Sequence, residues 1–216
     1  MDNVIELDRL SVHFQGTLLF NAFSLSASLG EKITITGPSG SGKSTLLRCI
    51  MGFTPASAGT IRILNEEITA ASIWRLRGKM AYVAQEPELG EGVVRDALIR
   101  PFGYRINRAL SYDEHESLRL FDCFLLPPSL IDKDITTLSG GEKQRVALVA
   151  ALLLQRPVLL LDEVASALDS ASKQAVRDYL CVHNDLTILS VSHDTREFAL
   201  SDTIVDIGRI KQGVLT

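Results

Sequence analysis

Residues 37–45 read GPSGSGKST, a glycine-rich segment whose residue types suit the binding of phosphate groups. The segment fits the pattern G-x-x-x-x-G-K-[ST], in which small residues let backbone N–H groups converge on phosphate oxygens. Lys43 would add a positive charge to those phosphates, and the hydroxyl of Ser44 would offer a ligand to Mg²⁺. We therefore predict a phosphate-binding P-loop made of Gly37, Pro38, Ser39, Gly40, Ser41, Gly42, Lys43, Ser44 and Thr45.

A second glycine-containing segment, LSGGEKQR at residues 138–145, precedes a long run of helix-forming residues. A helix that begins at Ser139, Gly140 and Gly141 would present free N–H donors to an anion. The same residues also fit a capping box, in which Ser139 and Glu142 satisfy those donors themselves. From these residues alone, a second anion site and an ordinary helix start both stay open.

An acidic pair, Asp162 and Glu163, follows the apolar segment VLLL at residues 158–161, which is typical of a buried strand. Ligands of open α/β sheets bind at the carboxyl ends of the strands, so we expect the pair to face the phosphates held by the P-loop. Asp162 is predicted to hold Mg²⁺, and Glu163 to polarise the water that attacks a γ-phosphate. The alternative is a helix start with solvated carboxylates.

With these three features, the chain resembles the nucleotide-binding subunit of an ATP-binding cassette (ABC) transporter over nearly its whole length. The resemblance implies a Mg²⁺-dependent ATPase that binds ATP between two cassettes, most simply as a homodimer. The P-loop of one copy and the segment from Ser139 to Gly141 of the other would then hold the same nucleotide. It also implies an integral-membrane permease as the partner of the chain, which would dock beside Gln85 and residues 86–92.

The resemblance assigns roles to four further residues. Phe14 matches the aromatic residue that stacks on adenine, although one Phe also fits a core position. Gln85 matches the glutamine that contacts Mg²⁺ or the attacking water, although read alone it suits a solvated loop. His193 matches the histidine that contacts the γ-phosphate, although read alone it suits a structural position. Asp169 ends the loop from Ser166 that reaches the opposing subunit.

The sequence departs from the family pattern immediately after the acidic pair. Residues 164–166 read Val-Ala-Ser where a proline and a small polar residue are common. The backbone path after Glu163 is therefore left open by the sequence.

Alternation of apolar strands and helices predicts an α/β fold, a P-loop NTPase core with a mostly parallel sheet. We expect an N-terminal antiparallel β subdomain and a helical insertion at about residues 89–137, all within one domain of residues 1–216. The predicted strands are Val4–Val12, Leu18–Leu29, Lys32–Thr36, Thr60–Leu64, Met80–Ala84, Val158–Leu161, Thr187–Val191 and Thr203–Ile207. The predicted helices are Thr45–Met51, Val93–Ile99, Ser111–Phe121, Glu142–Leu154, Ala171–Leu180 and Thr195–Leu200.

Composition limits the partners and the location of the chain. A net charge of −4 with no basic stripe argues against nucleic acid as a partner. The cysteines Cys49, Cys123 and Cys181 have no C-x-x-C spacing and are interpreted as reduced thiols. The longest apolar stretch, residues 146–154, is far shorter than the roughly 18 residues of a membrane span. We expect a cytoplasmic protein, peripheral on the cytoplasmic face of the cell membrane.

Two further segments bear on the cargo. The segments at residues 83–102 and 159–170 are similar to those of a small group of single-cassette subunits associated with iron export. An alternative function is that of an ABC ATPase that drives a non-transport membrane complex, of the cell-division or lipoprotein type. The roughly fifty residues from 89 to 137 are too few for the long coiled coil of chromosome-organising relatives.

Overall fold

The computed structural model describes residues 3–193, 198–200 and 203–210. The strands of this part of the chain are β1 Asn3–Phe14, β2 Thr17–Ser28, β3 Lys32–Thr36, β4 Ala58–Ile63, β5 Glu66–Glu67, β6 Met80–Val83, β7 Val158–Asp162, β8 Thr187–Ser192 and β9 Ile204–Asp206. The α-helices are α1 Lys43–Ile50, α2 Ile73–Arg77, α3 Val94–Ile99, α4 Glu114–Cys123, α5 Gly140–Leu153, α6 Ser170–Val182 and α7 Ile207–Ile210.

The central sheet has the strand order β6-β7-β8-β3-β9, and each neighbouring pair is parallel. The carboxyl ends of all five strands therefore lie along one edge of the sheet. The P-loop leaves this edge after β3, Asp162 is the last residue of β7, and His193 directly follows β8. The mostly parallel core predicted from the sequence is confirmed.

A second, antiparallel sheet has the order β2-β1-β4-β5. Its first two strands are N-terminal, as predicted, whereas β4 and β5 come after the P-loop helix α1. The chain thus returns to the N-terminal subdomain after it has formed the phosphate-binding loop, which fixes that loop between the two sheets.

Two apolar cores lie on the two faces of the parallel sheet. Because successive side chains of a strand point to opposite faces, Leu159 and Leu161 of β7 belong to one core, whereas Val158 and Leu160 belong to the other. The first core is shared with helices α3 to α6, and the second with α1 and the antiparallel sheet. Strands buried on both faces explain why VLLL is continuously apolar.

The segment at residues 89–137 is helical, as predicted. Besides α3 and α4 it contains four short 3₁₀ segments, which are Arg100–Gly103, Arg105–Asn107, Pro128–Asp132 and Ile135–Thr137. Within the described residues, no helix combines the length and the apolar character that crossing a bilayer requires.

Some predicted boundaries are wrong. The strand predicted at Thr203–Ile207 ends at Asp206, because the Asp206 carboxylate accepts the N–H of Gly208 and α7 begins at Ile207. Strand β5 and helices α2 and α7 were not predicted. Of the helix predicted at Thr195–Leu200, residues 195–197 lie outside the described residues, and residues 198–200 are not helical.

Candidate functional site

The P-loop depends on a glycine directly before helix α1. Gly42 adopts φ of 101°, a left-handed value that glycine tolerates best. A Cβ atom at this position would lie 3.1 Å from the Phe20 ring and 3.3 Å from Leu19, so the loop also packs closely against β2. Lys43 and Ser44 are consequently held at the first turn of α1, where unpaired N–H groups and the helix dipole favour anions.

The Lys43 side chain is buried and lies along its own loop. Its ammonium donates hydrogen bonds to the carbonyl oxygens of Gly37 at 2.9 Å and of Pro38 at 3.2 Å. These bonds hold the positive charge within the loop rather than in bulk solvent.

Lys43, Glu163 and His193 form a compact cluster. The Lys43 Nζ atom lies 3.6 Å from Glu163 Oε1 and 3.2 Å from His193 Nδ1, while His193 Nε2 lies 2.8 Å from the same Glu163 oxygen. A neutral imidazole with its proton on Nε2 satisfies both contacts, accepting from Lys43 and donating to Glu163. The ammonium of Lys43, the buried carboxylate of Glu163 and the imidazole of His193 are thus in mutual contact.

The buried Asp162 carboxylate is held by two hydroxyl groups. Ser44 Oγ donates to its Oδ1 at 2.9 Å, and the Tyr82 hydroxyl donates to its Oδ2 at 3.0 Å. Among the described residues, no Lys, Arg or His nitrogen lies within 4.0 Å of Asp162. Burial, and then the charge and hydrogen bond of Asp162, raise the pKa of Tyr82, so the phenol stays protonated and remains the donor.

A cleft of about 350 Å³ lies beside the P-loop and is lined by the Lys43, Glu163 and His193 cluster, whereas Asp162 and Tyr82 lie outside its lining. It gathers predicted residues from the antiparallel sheet, the P-loop and the ends of three parallel strands. The residues that line it are Phe14, Leu19, Ser39, Gly40, Gly42, Lys43, Ser44, Thr45, Gln85, Glu163 and His193. Phe14 is 44% exposed and therefore is not a core residue. Gln85 and His193 are exposed at the cleft rather than turned away from it.

The second glycine segment forms a capping box in this structure. Ser139 Oγ accepts the N–H of Glu142 at 3.2 Å, and the Glu142 carboxylate accepts the N–H of Ser139 at 2.8 Å. Hydrogen bonds from the backbone and the hydroxyl of Ser139 lower the pKa of Glu142. Neither Ser139 nor the glycines at 140 and 141 line the cleft. An anion site formed with a second chain stays a prediction.

Asp169 lies at another helix start. Its carboxylate accepts the N–H of Ser172 at 2.8 Å and caps α6, and hydrogen bonds from Ser172 lower its pKa. Asp169 does not line the cleft. Its preceding loop packs on α5, since a Cβ atom on Gly141 would meet the Ala167 carbonyl oxygen at 2.8 Å.

The backbone after Glu163 makes a tight turn. Glu163 has a φ of +48°, and its carbonyl accepts both the N–H of Ser166 at 3.0 Å and the Ser166 hydroxyl at 2.8 Å. A non-glycine residue in the left-handed backbone region lowers folding stability by about 1 kcal/mol. Burial of Val164 and the two hydrogen bonds from Ser166 offset this cost. The turn keeps Glu163 at the cleft although no proline follows it.

Two residues that were not predicted from the sequence also belong to the site. Tyr82 binds Asp162, and buried Gln144 of α5 donates to the carbonyl of Ala84 at 3.0 Å, next to Gln85. The hydroxyl of Tyr82 within an apolar strand was an available signal, whereas Gln144 stands among the charged residues Glu142, Lys143 and Arg145 and gave none. Their partners depend on the strand order, which the sequence did not provide.

The oxygen groups at Asp162 fit a magnesium ion. Mg²⁺ is usually bound through one or two carboxylates together with hydroxyl, water and phosphate oxygens. Ser44 and Asp162 provide one hydroxyl and one carboxylate 2.9 Å apart, and Gln85 provides an amide at the same cleft. No cluster of three or more His, Cys, Asp or Glu side chains in the described part of the chain would hold a metal alone. The donors therefore suit Mg²⁺ that arrives with a nucleotide.

A P-loop between an interior strand of a parallel sheet and a helix, with an acidic residue at the end of a nearby strand, defines a P-loop nucleoside triphosphatase fold. The family profile described as ABC transporter matches residues 20–166, so the chain belongs to that family. It is an ATP-binding and ATP-hydrolysing subunit of the ABC type.

Curated relatives align over most of the chain. The chain is 35% identical over 192 residues to the probable iron export ATP-binding protein FetA of Escherichia coli K12, covering 88% of this chain and 84% of that protein. It is 30% identical to the energy-coupling factor transporter ATP-binding protein EcfA1 of Leuconostoc mesenteroides, covering 96% of this chain and 78% of that protein.

A solved structure has a similar fold. It is the dimeric ATP-binding cassette MJ0796 in a post-hydrolysis state bound to ADP and Pi, with a TM-score of 0.80 and 24% identity, covering 94% of this chain and 95% of that one.

Proposed function

We propose that this chain powers a membrane transporter by binding and hydrolysing Mg-ATP in the cleft beside the P-loop. The observation that carries the proposal is the convergence of Phe14, Lys43, Gln85, Glu163 and His193 on one cleft. An exposed aromatic ring suits a base, a buried ammonium suits phosphates, and a carboxylate in contact with an imidazole suits activation of water.

Each side chain then has a distinct role. Phe14 stacks on adenine, and Lys43 with the P-loop N–H groups binds the β- and γ-phosphates. Glu163 is the general base that takes the proton of the attacking water. His193 keeps Glu163 oriented through its 2.8 Å contact and reaches the γ-phosphate. Gln85, which follows the carboxyl end of the neighbouring strand β6, orients the water.

Ser44, Asp162 and Gln85 would hold the magnesium ion. When bound, the ion neutralises charge on the phosphate oxygens. Asp162 is suited to this role because hydroxyl groups orient it without neutralising its charge.

Two cassettes would close on the nucleotide. In this arrangement the start of α5 in a second copy faces the γ-phosphate through Ser139, Gly140 and Gly141. Asp169 ends the loop that reaches the opposing copy. All of them lie at helix N-termini, and Ser139 and Gly140 are exposed. The γ-phosphate stabilises the closed pair because both copies bind it, and hydrolysis removes that link.

The partner is an integral-membrane permease, which would place the chain on the cytoplasmic face of the membrane. Residues 86–92 follow Gln85 at the cleft, so a permease segment docked there would be sensitive to the state of the nucleotide. The EcfA1 relative is named as a component of a transporter, which supports this partner.

We propose iron, exported from the cell, as the cargo. The support is the 35% identity to a protein named as a probable iron export subunit, over 88% of this chain.

One experiment tests the function as a whole. The tagged chain is purified from membranes with its permease, and Mg²⁺-dependent ATP hydrolysis and iron export from vesicles are measured together. We expect hydrolysis that requires Mg²⁺ and iron movement that requires hydrolysis. Hydrolysis without iron movement would reject the cargo only, whereas no hydrolysis in the assembled complex would reject the proposed function.

A further inference from the structure

Tyr82 is a tyrosine on the strand adjacent to the acidic strand β7. It lies on β6 opposite Leu160 of β7, and its hydroxyl reaches Asp162 at the carboxyl end of that strand. The ring is partly buried, and the carboxylate that it contacts is only 4% exposed. The contact is therefore a hydrogen bond sheltered from water, which makes it stronger than an exposed one.

The two oxygens of Asp162 have different donors. Ser44, which binds Oδ1, is itself a P-loop residue, whereas Tyr82, which binds Oδ2, belongs to the sheet. Strand β6 is paired with β7 from Met80 to Val83, so the Tyr82 backbone is fixed relative to Asp162. The Tyr82 bond is consequently the fixed support of the carboxylate, and it leaves Oδ1 directed at the P-loop.

We infer that Tyr82 is a positioning residue for the divalent cation of the ATPase reaction, acting through Asp162. The inference rests on the proposed function, in which Asp162 holds that ion. By holding Oδ2, the phenol orients the other oxygen toward Ser44. The carboxylate then loses less conformational entropy when the ion binds. Hydrogen bonds to the outer side of a metal-binding group typically change metal affinity by about 10- to 100-fold.

The variant Tyr82→Phe removes the hydroxyl and keeps the ring. The chain offers a matched control in Tyr112→Phe, because the Tyr112 hydroxyl is buried without a hydrogen-bond partner among the described residues. Tyr82→Met repeats the test with a second side chain that lacks a donor.

The test measures Mn²⁺ binding by electron paramagnetic resonance in the presence of ADP, and binding of a fluorescent ATP analogue in EDTA. We expect Tyr82→Phe to weaken Mn²⁺ binding by about 10-fold or more, with metal-free nucleotide binding unchanged. Tyr112→Phe should change neither quantity.

Other outcomes overturn the inference. If Tyr82→Phe lowers the unfolding temperature but leaves Mn²⁺ affinity unchanged, the tyrosine only connects β6 to β7. An equal loss of metal-free and metal-dependent binding would also overturn it, because the defect would then lie in the nucleotide cleft.

Asp162→Asn separates this inference from the proposed function. If Asp162→Asn leaves Mn²⁺ binding intact, the metal site of the proposed function is wrong and Tyr82 has no metal role. If Asp162→Asn abolishes Mn²⁺ binding while Tyr82→Phe does not affect it, the metal site stands and only the inference about Tyr82 fails.

Discussion

Lys43 and Glu163 face each other across the cleft, with 3.6 Å between the ammonium nitrogen and a carboxylate oxygen and side chains that are 4% and 7% exposed. One residue belongs to the P-loop and the other to the turn after β7. Lys43, which is proposed to bind the phosphates, is thus a direct neighbour of Glu163, which is proposed to activate the attacking water. Substitutions at the two positions should nevertheless separate binding from hydrolysis.

Lys43→Ala should weaken ATP binding by roughly 10- to 100-fold, the usual effect of losing a charge-assisted hydrogen bond. Binding of a fluorescent ATP analogue measures the change. Lys79→Ala, which removes an exposed lysine outside the cleft, is the control and should bind normally. Equal affinities in the two variants would contradict the assignment of the phosphates to the loop at residues 37–45.

Glu163→Gln should keep ATP binding and lower kcat by about 10²- to 10⁴-fold, because an amide cannot accept the proton of the attacking water. Single-turnover hydrolysis measures the rate. The bound ATP should also trap the closed pair of cassettes, seen as a dimer by size-exclusion chromatography. Glu67→Gln, at an exposed position of β5, should hydrolyse ATP at the normal rate. A Glu163→Gln chain that binds Mg-ATP yet remains monomeric would reject the paired arrangement.

Ser139→Arg should prevent ATP-dependent dimerisation and leave ATP binding by the monomer unchanged, because the long side chain would occupy the space of the γ-phosphate. Sedimentation in ATP measures the effect, in the Glu163→Gln background. Ser139→Ala is the control, since it removes the same helix cap, worth about 1 kcal/mol, without adding bulk. If the dimers of Ser139→Arg are as stable as those of Ser139→Ala, the second anion site does not include Ser139.

The capping box of α5 should make stability depend on pH. The pKa of Glu142 is lowered in the folded chain, so its contribution is complete above the unfolded value of about 4.3 and is lost as the pH falls through the folded value. Thermal unfolding of the native chain and of Glu142→Gln, compared at neutral pH and at a pH below the folded pKa of Glu142, measures this difference. The two chains should differ by about 1 kcal/mol at neutral pH and converge in acid. A constant difference between them would show that the carboxylate charge is not involved.

Local sequence patterns predicted much of the fold and of the cleft. Gly42, Lys43 and Ser44 could be recognised because the P-loop is contiguous, and VLLL could be recognised because both faces of β7 are buried. Tyr82 and Gln144 could not, since each acts through a partner far along the chain whose proximity depends on the order of the strands. The turn after Glu163 also required the structure, because its hydrogen bonds to Ser166 replace the rigidity that a proline would provide.

Gln144 has a mechanical consequence for coupling between the start of α5 and the loop that follows β6. The helix that starts beside Ser139 carries, little more than one turn later, an amide bonded to the peptide that precedes Gln85. The helical backbone fixes the spacing between the helix start and Gln144, since each residue adds about 1.5 Å along the axis. As long as this bond is kept, a second subunit that contacts the start of α5, as proposed, would also displace the loop where the permease is proposed to dock.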